Sequence, residues 1–164
     1  MKKYGIFYGS STGVMADVAR RIAARLGLDK ADVHNVADTA PSAVGDYENL
    51  IFGTSTHGNG DVQEDWLDFL DGLDMMDLRG KRIALVGVGD ETMADSFCSG
   101  VGKIYKRMQR SGAYFTGSYP ADVYKFNHSE AIVNGTPVGL LLDEVNHADL
   151  TDGRLDGWIL TLPR

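Results

Sequence analysis

The sequence predicts an α/β domain in which a parallel sheet is covered by helices on both faces, and three observations carry that prediction. Strand-like and helix-like segments alternate along most of the chain. Ile83–Val88 is almost continuously apolar, the pattern of a central strand buried on both sides. Three strands run directly into loops rich in glycine and small polar residues, at 9–15, 54–60 and 87–98. A parallel sheet gathers such loops at the carboxyl ends of its strands, where ligands bind near the switch in strand order.

Tyr4–Tyr8 forms the first strand and stops at Gly9-Ser10-Ser11-Thr12-Gly13. A helix follows over Val14–Leu26, apolar at Val14, Val18, Ile22 and Leu26, with Gly27 as its stop. Asp32–Val36 is a short second strand, and the polar stretch around Pro41 holds a small second helix. Asn49–Gly53 is a stronger strand, bounded by the polar run Thr54–Gly60. The next helix begins at about Val62 and turns Trp66, Leu67, Phe69, Leu70 and Leu73 inward. After Ile83–Val88 a helix spans Phe97–Gln109, Gly112 stops it, and Ala113–Ser118 begins the last strand. A long polar segment, 119–137, interrupts the pattern before Val138–Leu142 restores a strand. Thr151–Leu160 closes the chain as a helix with Leu155, Trp158 and Ile159 on its apolar side.

The 164 residues fit one domain, spanning about 3–161, and a hydrophobic share of 43% is enough for a core. No apolar run approaches the roughly 20 residues of a membrane span. The start of the chain lacks the apolar region of a signal peptide, so a cytoplasmic location is expected. Cys98 is the only cysteine, which excludes an internal disulfide and a cysteine-ligated metal cluster. The net charge of −7 argues against nucleic acid and for basic protein partners. Seven acids (Asp61, Glu64, Asp65, Asp68, Asp71, Asp74, Asp77) fall between 61 and 77 without a Lys or Arg, either as a docking surface or as a solvated helix face.

The loop after the first strand reads as an anion cradle. A helix N-terminus presents amides without intrahelical partners and a positive dipole end, so it holds a phosphate without a basic side chain. Ser10, Ser11 and Thr12 add hydroxyl donors, and Gly9 and Gly13 permit positive φ and close approach. The other reading of these residues is an ordinary strand-to-helix N-cap. The absence of Lys and the short glycine spacing separate the loop from a Walker motif and from the G-x-G-x-x-G fingerprint, which argues against a nucleoside triphosphate. The loops at 54–60 and 87–98 are suited to sandwiching a flat ring.

Over nearly its whole length the chain resembles the flavodoxin family, in its long-chain branch. The resemblance is carried by Gly9-Ser10-Ser11-Thr12-Gly13, by Thr54-Ser55-Thr56-His57-Gly58 with Gln63 and Trp66, and by Gly87-Val88-Gly89-Asp90 with Phe97-Cys98. Val138-Gly139-Leu140, Asp143-Glu144 and Leu150-Thr151-Asp152 match the branch's terminus, and 119–137 its insertion. It implies a flavodoxin-like three-layer sandwich with a five-stranded parallel sheet, order 2-1-3-4-5, whose last strand is interrupted. It also implies a monomer that binds FMN non-covalently and passes single electrons at low potential between redox proteins. The phosphate would sit on Ser10, Ser11, Thr12, Gly13, Val14 and Met15. The ring would lie between Thr54, Ser55, Thr56, His57 and Gly58 on one side and Gly89, Asp90, Met93, Phe97 and Cys98 on the other. The Gly58 carbonyl would turn toward the ring's N5–H on reduction, a change that glycine makes inexpensive.

The chain departs from the family pattern in ways that carry expectations. Val14 and Met15 replace polar residues of the cradle, so at least one phosphate-bonding hydroxyl is missing. His57 stands at the inner stacking position, the outer Tyr is absent with Met93 nearest its place, and Val145 replaces an acid. Lost aromatic stacking at about 1 kcal/mol apiece predicts weaker FMN binding than is usual for the family. An imidazole beside flavin is either a neutral stacking ring or a group that titrates near physiological pH and raises the potential when charged. Cys98 is expected as a packing residue and not a reactive thiol.

Two other functions compete with the carrier. Small side chains around the ring suit a flavin-dependent quinone reductase or oxidase, and Val14, Met15 and Val145 suit a binding module that has lost efficient cofactor binding. No nucleophile–base order, paired-carboxylate motif or metal-ligand spacing emerges from His34, His57, His128 and His147.

Overall fold

Ile6 and Phe7, neighbours on the first strand, are both sealed from solvent on opposite faces of the sheet, which is why both faces need helices. The computed structural model describes residues 1–164. In chain order the elements are β1 (Lys2–Gly9), α1 (Val14–Leu26), β2 (Val33–Asn35), β3 (Tyr47–His57), β4 (Asp61–Val62), α2 (Asp65–Leu73) and β5 (Arg82–Val88). They continue with α3 (Ser99–Arg107), β6 (Tyr114–Thr116), β7 (Ile132–Val133), β8 (Thr136–Pro137), β9 (Leu140–Leu142) and α4 (Ala148–Ile159). The Pro41 stretch is a 3-10 helix, Pro41–Asp46.

β2, β1, β3 and β5 lie side by side in that order, all parallel. Both β6 and β9 pair with β5, at Arg82–Ala84 and Val86–Val88 respectively. The fifth sheet position is therefore one strand in two pieces, as the interrupted order 2-1-3-4-5 requires. Strand alternation divides the core. Phe7, Phe52, Leu85 and Leu141 pack under α2 and α3 with Trp66, Phe69 and Val101. Ile6, Ile51, Val86 and Leu140 pack under α1 and α4 with Val18, Ile22, Leu155 and Trp158.

The segment between the two half-strands folds back on the core. Its β7–β8 hairpin turns at Asn134 and Gly135, both left-handed with φ of 53° and 78°. Ala121, Tyr124 and Ala131 are buried, and Tyr124 and Phe126 flank the Phe97 ring at 5.3 and 4.9 Å.

Several boundaries differ from the sequence expectation. The polar run at 54–60 is not wholly a loop: β3 continues to His57, and a turn closed by Gly60 N–H donating to His57 O (3.1 Å) leads into β4. Pairing of Val62 with Thr56 holds Val62 in that ribbon, so α2 starts only at Asp65. Leu67 does not face inward; it is 52% exposed, because Trp66, Phe69, Leu70 and Leu73 already fill the buried stripe. On α1 the buried stripe is Met15, Val18, Ala19, Ile22 and Ala23, which turns Val14 outward. α3 begins two residues late, at Ser99, and α4 three residues early, at Ala148.

Candidate functional site

The sheet register brings the three loops to one edge. Gly9 pairs with Thr54, Thr54 with Gly87, and Ser55 with Val88, so the first, third and fourth parallel strands end level. The chain leaves β1 for β2 on one side and reaches β3 on the other, so the cradle stands at the switch in strand order.

Behind β1 the cradle is built from main chain. Gly13, with φ of 92°, is the N-cap of α1 and has no side chain to cap with. Ser10 Oγ supplies that function, accepting the amides of Gly13 and Ala16 at 3.1 and 3.3 Å. The amides of Ser11, Thr12, Val14 and Met15 have no protein acceptor. Ser11 is held from the α2 side, where Gln63 Nε2 donates to its Oγ at 3.2 Å and to Asp65 at 2.7 Å. The Met15 side chain is fully buried against Gly53, so only its amide faces the cradle.

Beside the cradle lies a crevice of about 290 Å³ whose lining includes Thr12, Val14, Ser55, Thr56, His57 and Gly58. Gly89, Asp90, Met93, Phe97, Cys98, Glu144 and Val145 complete its opposite side. Ser55 Oγ and His57 Nε2 are hydrogen-bonded at 2.7 Å, fixing the imidazole at the wall. Gly58 sits in the turn with φ of 54°. Thr54 is spent on structure: its hydroxyl accepts the Gln63 amide at 3.1 Å and donates to Ser55 O at 2.8 Å, with no exposure to the crevice. Phe97 and Cys98 border the crevice from the core, almost without exposure. Cys98 is itself left-handed, with φ of 52°, and burial pushes its thiol well above the ordinary range, as expected of an inert packing residue.

The outer wall is stapled to the turn after β9. Gly89 N–H donates to Leu142 O at 2.9 Å, and Asn146 Nδ2 donates to Asp90 at 2.8 Å. The hydroxyl and amide of Thr92 also bind the Asp90 carboxylate and hold it below the usual carboxylate range. Val14, Met93 and Val145 expose 38%, 51% and 71% of their surface, giving the mouth an apolar rim.

The arrangement places four unpartnered amides beside a crevice of about 290 Å³ at one end of one sheet. A family model described as flavodoxin matches residues 6–158. The chain belongs to the flavodoxin family. Flavodoxin 1 of Azotobacter vinelandii is 41% identical, with 99% of this chain and 96% of that protein covered. A Nostoc flavodoxin is 38% identical over 98% of this chain and 95% of its own length. Among solved structures, Fusobacterium nucleatum flavodoxin bound to flavin mononucleotide superposes with a TM-score of 0.88 at 32% identity, covering 98% of this chain and 96% of that one. As a flavodoxin the chain is an electron-transfer protein, not an enzyme with a substrate of its own, and its partners are redox proteins.

Other residues shape the site in ways that the sequence motifs do not indicate. Arg21 on α1 pairs with Glu144 at the crevice and with Asp152 on α4 (2.8 Å). Asp143 and Asn146 hold the outer wall from more than fifty residues away, a distance at which no spacing rule operates.

Proposed function

We propose that the protein is a low-potential one-electron carrier that binds FMN non-covalently, with the phosphate on residues 10–15 and the ring between 55–58 and 89–93. The observation that carries this reading is the set of four amides without acceptors, level with the crevice at the switch in strand order. The site fits that group: the donors are neutral, the cradle is formed without side-chain bulk at Gly13, and the crevice beside it has an apolar rim of Val14, Met93 and Val145.

Bound FMN supplies the one-electron chemistry. Ser11, Thr12 and the cradle amides bind and orient the phosphate, and the Ser10 hydroxyl keeps the first turn of α1 in place. His57, Met93 and Val145 limit water at the ring. Gly58, already left-handed with φ of 54°, and the following Asn59 would accept the backbone rotation that lets the Gly58 carbonyl accept a hydrogen bond donated from the bound ring. Asp90, at the crevice, would oppose further negative charge on a bound ring, while Arg21 largely offsets the charge of Glu144. Basic faces on redox partners would complement Asp61, Glu64 and Asp68, and the protein would act as a monomer in the cytoplasm. No helix is long and apolar enough to cross a membrane. A quinone reductase or oxidase of the same fold is not favoured by relatives that are flavodoxins over nearly their full length.

Stepwise dithionite reduction of the protein with added FMN tests the reading. Two spectrally separate one-electron steps are expected. Direct bleaching in one two-electron step would favour the enzyme, and flavin that remains free in solution would overturn the cofactor assignment.

A further inference from the structure

Glu91 follows Asp90 in the outer wall of the crevice, and its side chain joins three separate segments of the chain. Oε1 lies 2.6 Å from His147 Nε2, Oε2 accepts the Lys125 amide at 2.7 Å, and the Glu91 amide donates to Asp143 Oδ2 at 3.0 Å. Asp143 is fully buried, and its two oxygens also accept the amides of Val145 and Asn146 and the Asn146 side chain, all at 2.9 Å. Apart from His147 Nε2, whose role depends on the ring tautomer, every one of those contacts is made to an N–H, so the cluster reads as a clamp and not as a metal site. The insertion reinforces it, because Ala94 O accepts the amides of Asn127 and His128 at 2.7 and 2.9 Å. Asp90, Met93, Glu144 and Val145, which line the crevice, sit on the segments so joined.

We infer that Glu91 and His147 are positioning residues whose ion pair sets how firmly the outer wall of the crevice is held, so that FMN is retained more tightly when His147 is protonated. This rests on the cofactor reading above. His147 faces Glu91 from the wall, Asp143 from its own turn, Asp149 from α4 and the Tyr124 ring, centred 5.8 Å away, from the insertion. The hydrogen bond to Glu91, and then the charges of Glu91, Asp143 and Asp149, raise the imidazole above its ordinary value, while the Lys125 amide and His147 lower the Glu91 carboxyl. The His147 contribution is therefore complete below its ordinary value of about 6.5 and lost as pH rises through the raised one. The Glu91 contribution is lost only in acid, on falling below the carboxylate range. The clamp is firmest between those limits and loosens as pH rises through the raised His147 value.

The test uses the full chain without and with FMN. In the apoprotein, NMR titration is expected to move the amides of Thr92, Met93 and Val145 with the same midpoint as the His147 ring. In flavin titrations at pH 6 and 8.5, parent affinity should fall about threefold more than that of His147→Gln, which keeps a donor and cannot titrate. Glu91→Gln should lower the His147 midpoint and flatten the profile in the same way. Loop amides that ignore His147, or parallel profiles in parent and variants, would overturn the inference. Failure of parent and variants alike to bind FMN would instead remove the cofactor reading and the retention claim with it, leaving the amide titration to decide the clamp by itself.

Discussion

Ser10 Oγ accepts the amides of Gly13 and Ala16, so a residue outside α1 caps a helix whose own N-cap position carries glycine. Ser10→Ala removes that cap and frees two further amides. Loss of a helix cap costs about 1 kcal/mol. The apoprotein should therefore unfold at lower urea, and FMN affinity should fall because the cradle backbone is no longer preset. Urea denaturation and flavin titration check the two effects; an unchanged urea midpoint would show that the hydroxyl contributes nothing to the helix.

Val14 and Met15 are adjacent apolar residues in the cradle with opposite fates. Val14 is 38% exposed at the crevice, whereas Met15 is fully buried against Gly53. Val14→Thr adds a hydroxyl beside the proposed phosphate, and a hydrogen bond to a charged group is expected to tighten FMN about tenfold. Met15→Thr instead opens a core cavity and costs about 2–4 kcal/mol of stability. Equal effects of the two substitutions on affinity, at unchanged stability, would contradict this division.

Met93 lies at the mouth of the crevice with half its surface exposed. Met93→Tyr supplies the stacking surface that the sequence lacks. An aromatic stack contributes about 0.5–1.5 kcal/mol, which corresponds to a gain of roughly fivefold in FMN affinity. Flavin titration of the variant measures it, and affinity equal to the parent's would place Met93 away from the ring.

Local patterns carried the fold further than they carried the site. The run Ile83–Val88 and the repeat Val18, Ile22 are read correctly because burial on both sheet faces leaves a periodic trace in sequence. The extension of β3 through Thr54–His57 leaves none, since a polar strand end looks like a loop until β4 pairs with it. Leu67 and Val14 follow the composition of a buried stripe but not its phase. In the cradle, Ser10–Gly13 are legible because hydroxyls and glycine at a helix start are local chemistry. The Asp90–Asn146 and Glu91–His147 contacts depend on the two-part fifth strand returning to β5, which only the assembled sheet reveals.

The acids of 61–77 do not act as one surface. Arg107 binds Asp71 and Asp74 at 2.9 and 2.7 Å, and Arg79 binds Asp77 at 2.6 Å, while Asp61, Glu64 and Asp68 have no cationic partner. Across a groove from Asp61 and Glu64 stand Lys103 and Lys106, which temper the field there. Replacing Asp61, Glu64 and Asp68 by their amides should slow reduction by a reductase with a basic face, by about tenfold at low salt. Added salt should erase the difference. Stopped-flow rates that are indifferent to both changes would mark these residues as an ordinary solvated face.

His34 gives the fold a pH dependence remote from the crevice. Its ring stacks on Phe7 at 4.7 Å, and its Nε2 lies 2.7 Å from the Tyr47 hydroxyl, which in turn donates to Asp32 at 2.9 Å. Burial lowers the imidazole below its ordinary value, outweighing the attraction of Asp32 and Asp46, while Lys2 works in the same direction as burial. Below pH of about 6.5 the unfolded chain takes up a proton at this residue that the folded chain accepts only at lower pH. The unfolded state then binds more protons, so stability declines as pH falls through that window. Through His34 the urea midpoint of the parent should drop between pH 7 and pH 5.5, against the opposite contribution of His147. His34→Phe keeps the stack and removes the titration, so its midpoint should drop less over the same interval, even though loss of the Tyr47 contact lowers it at both values. Parallel declines in the two proteins would assign the acid sensitivity to other groups.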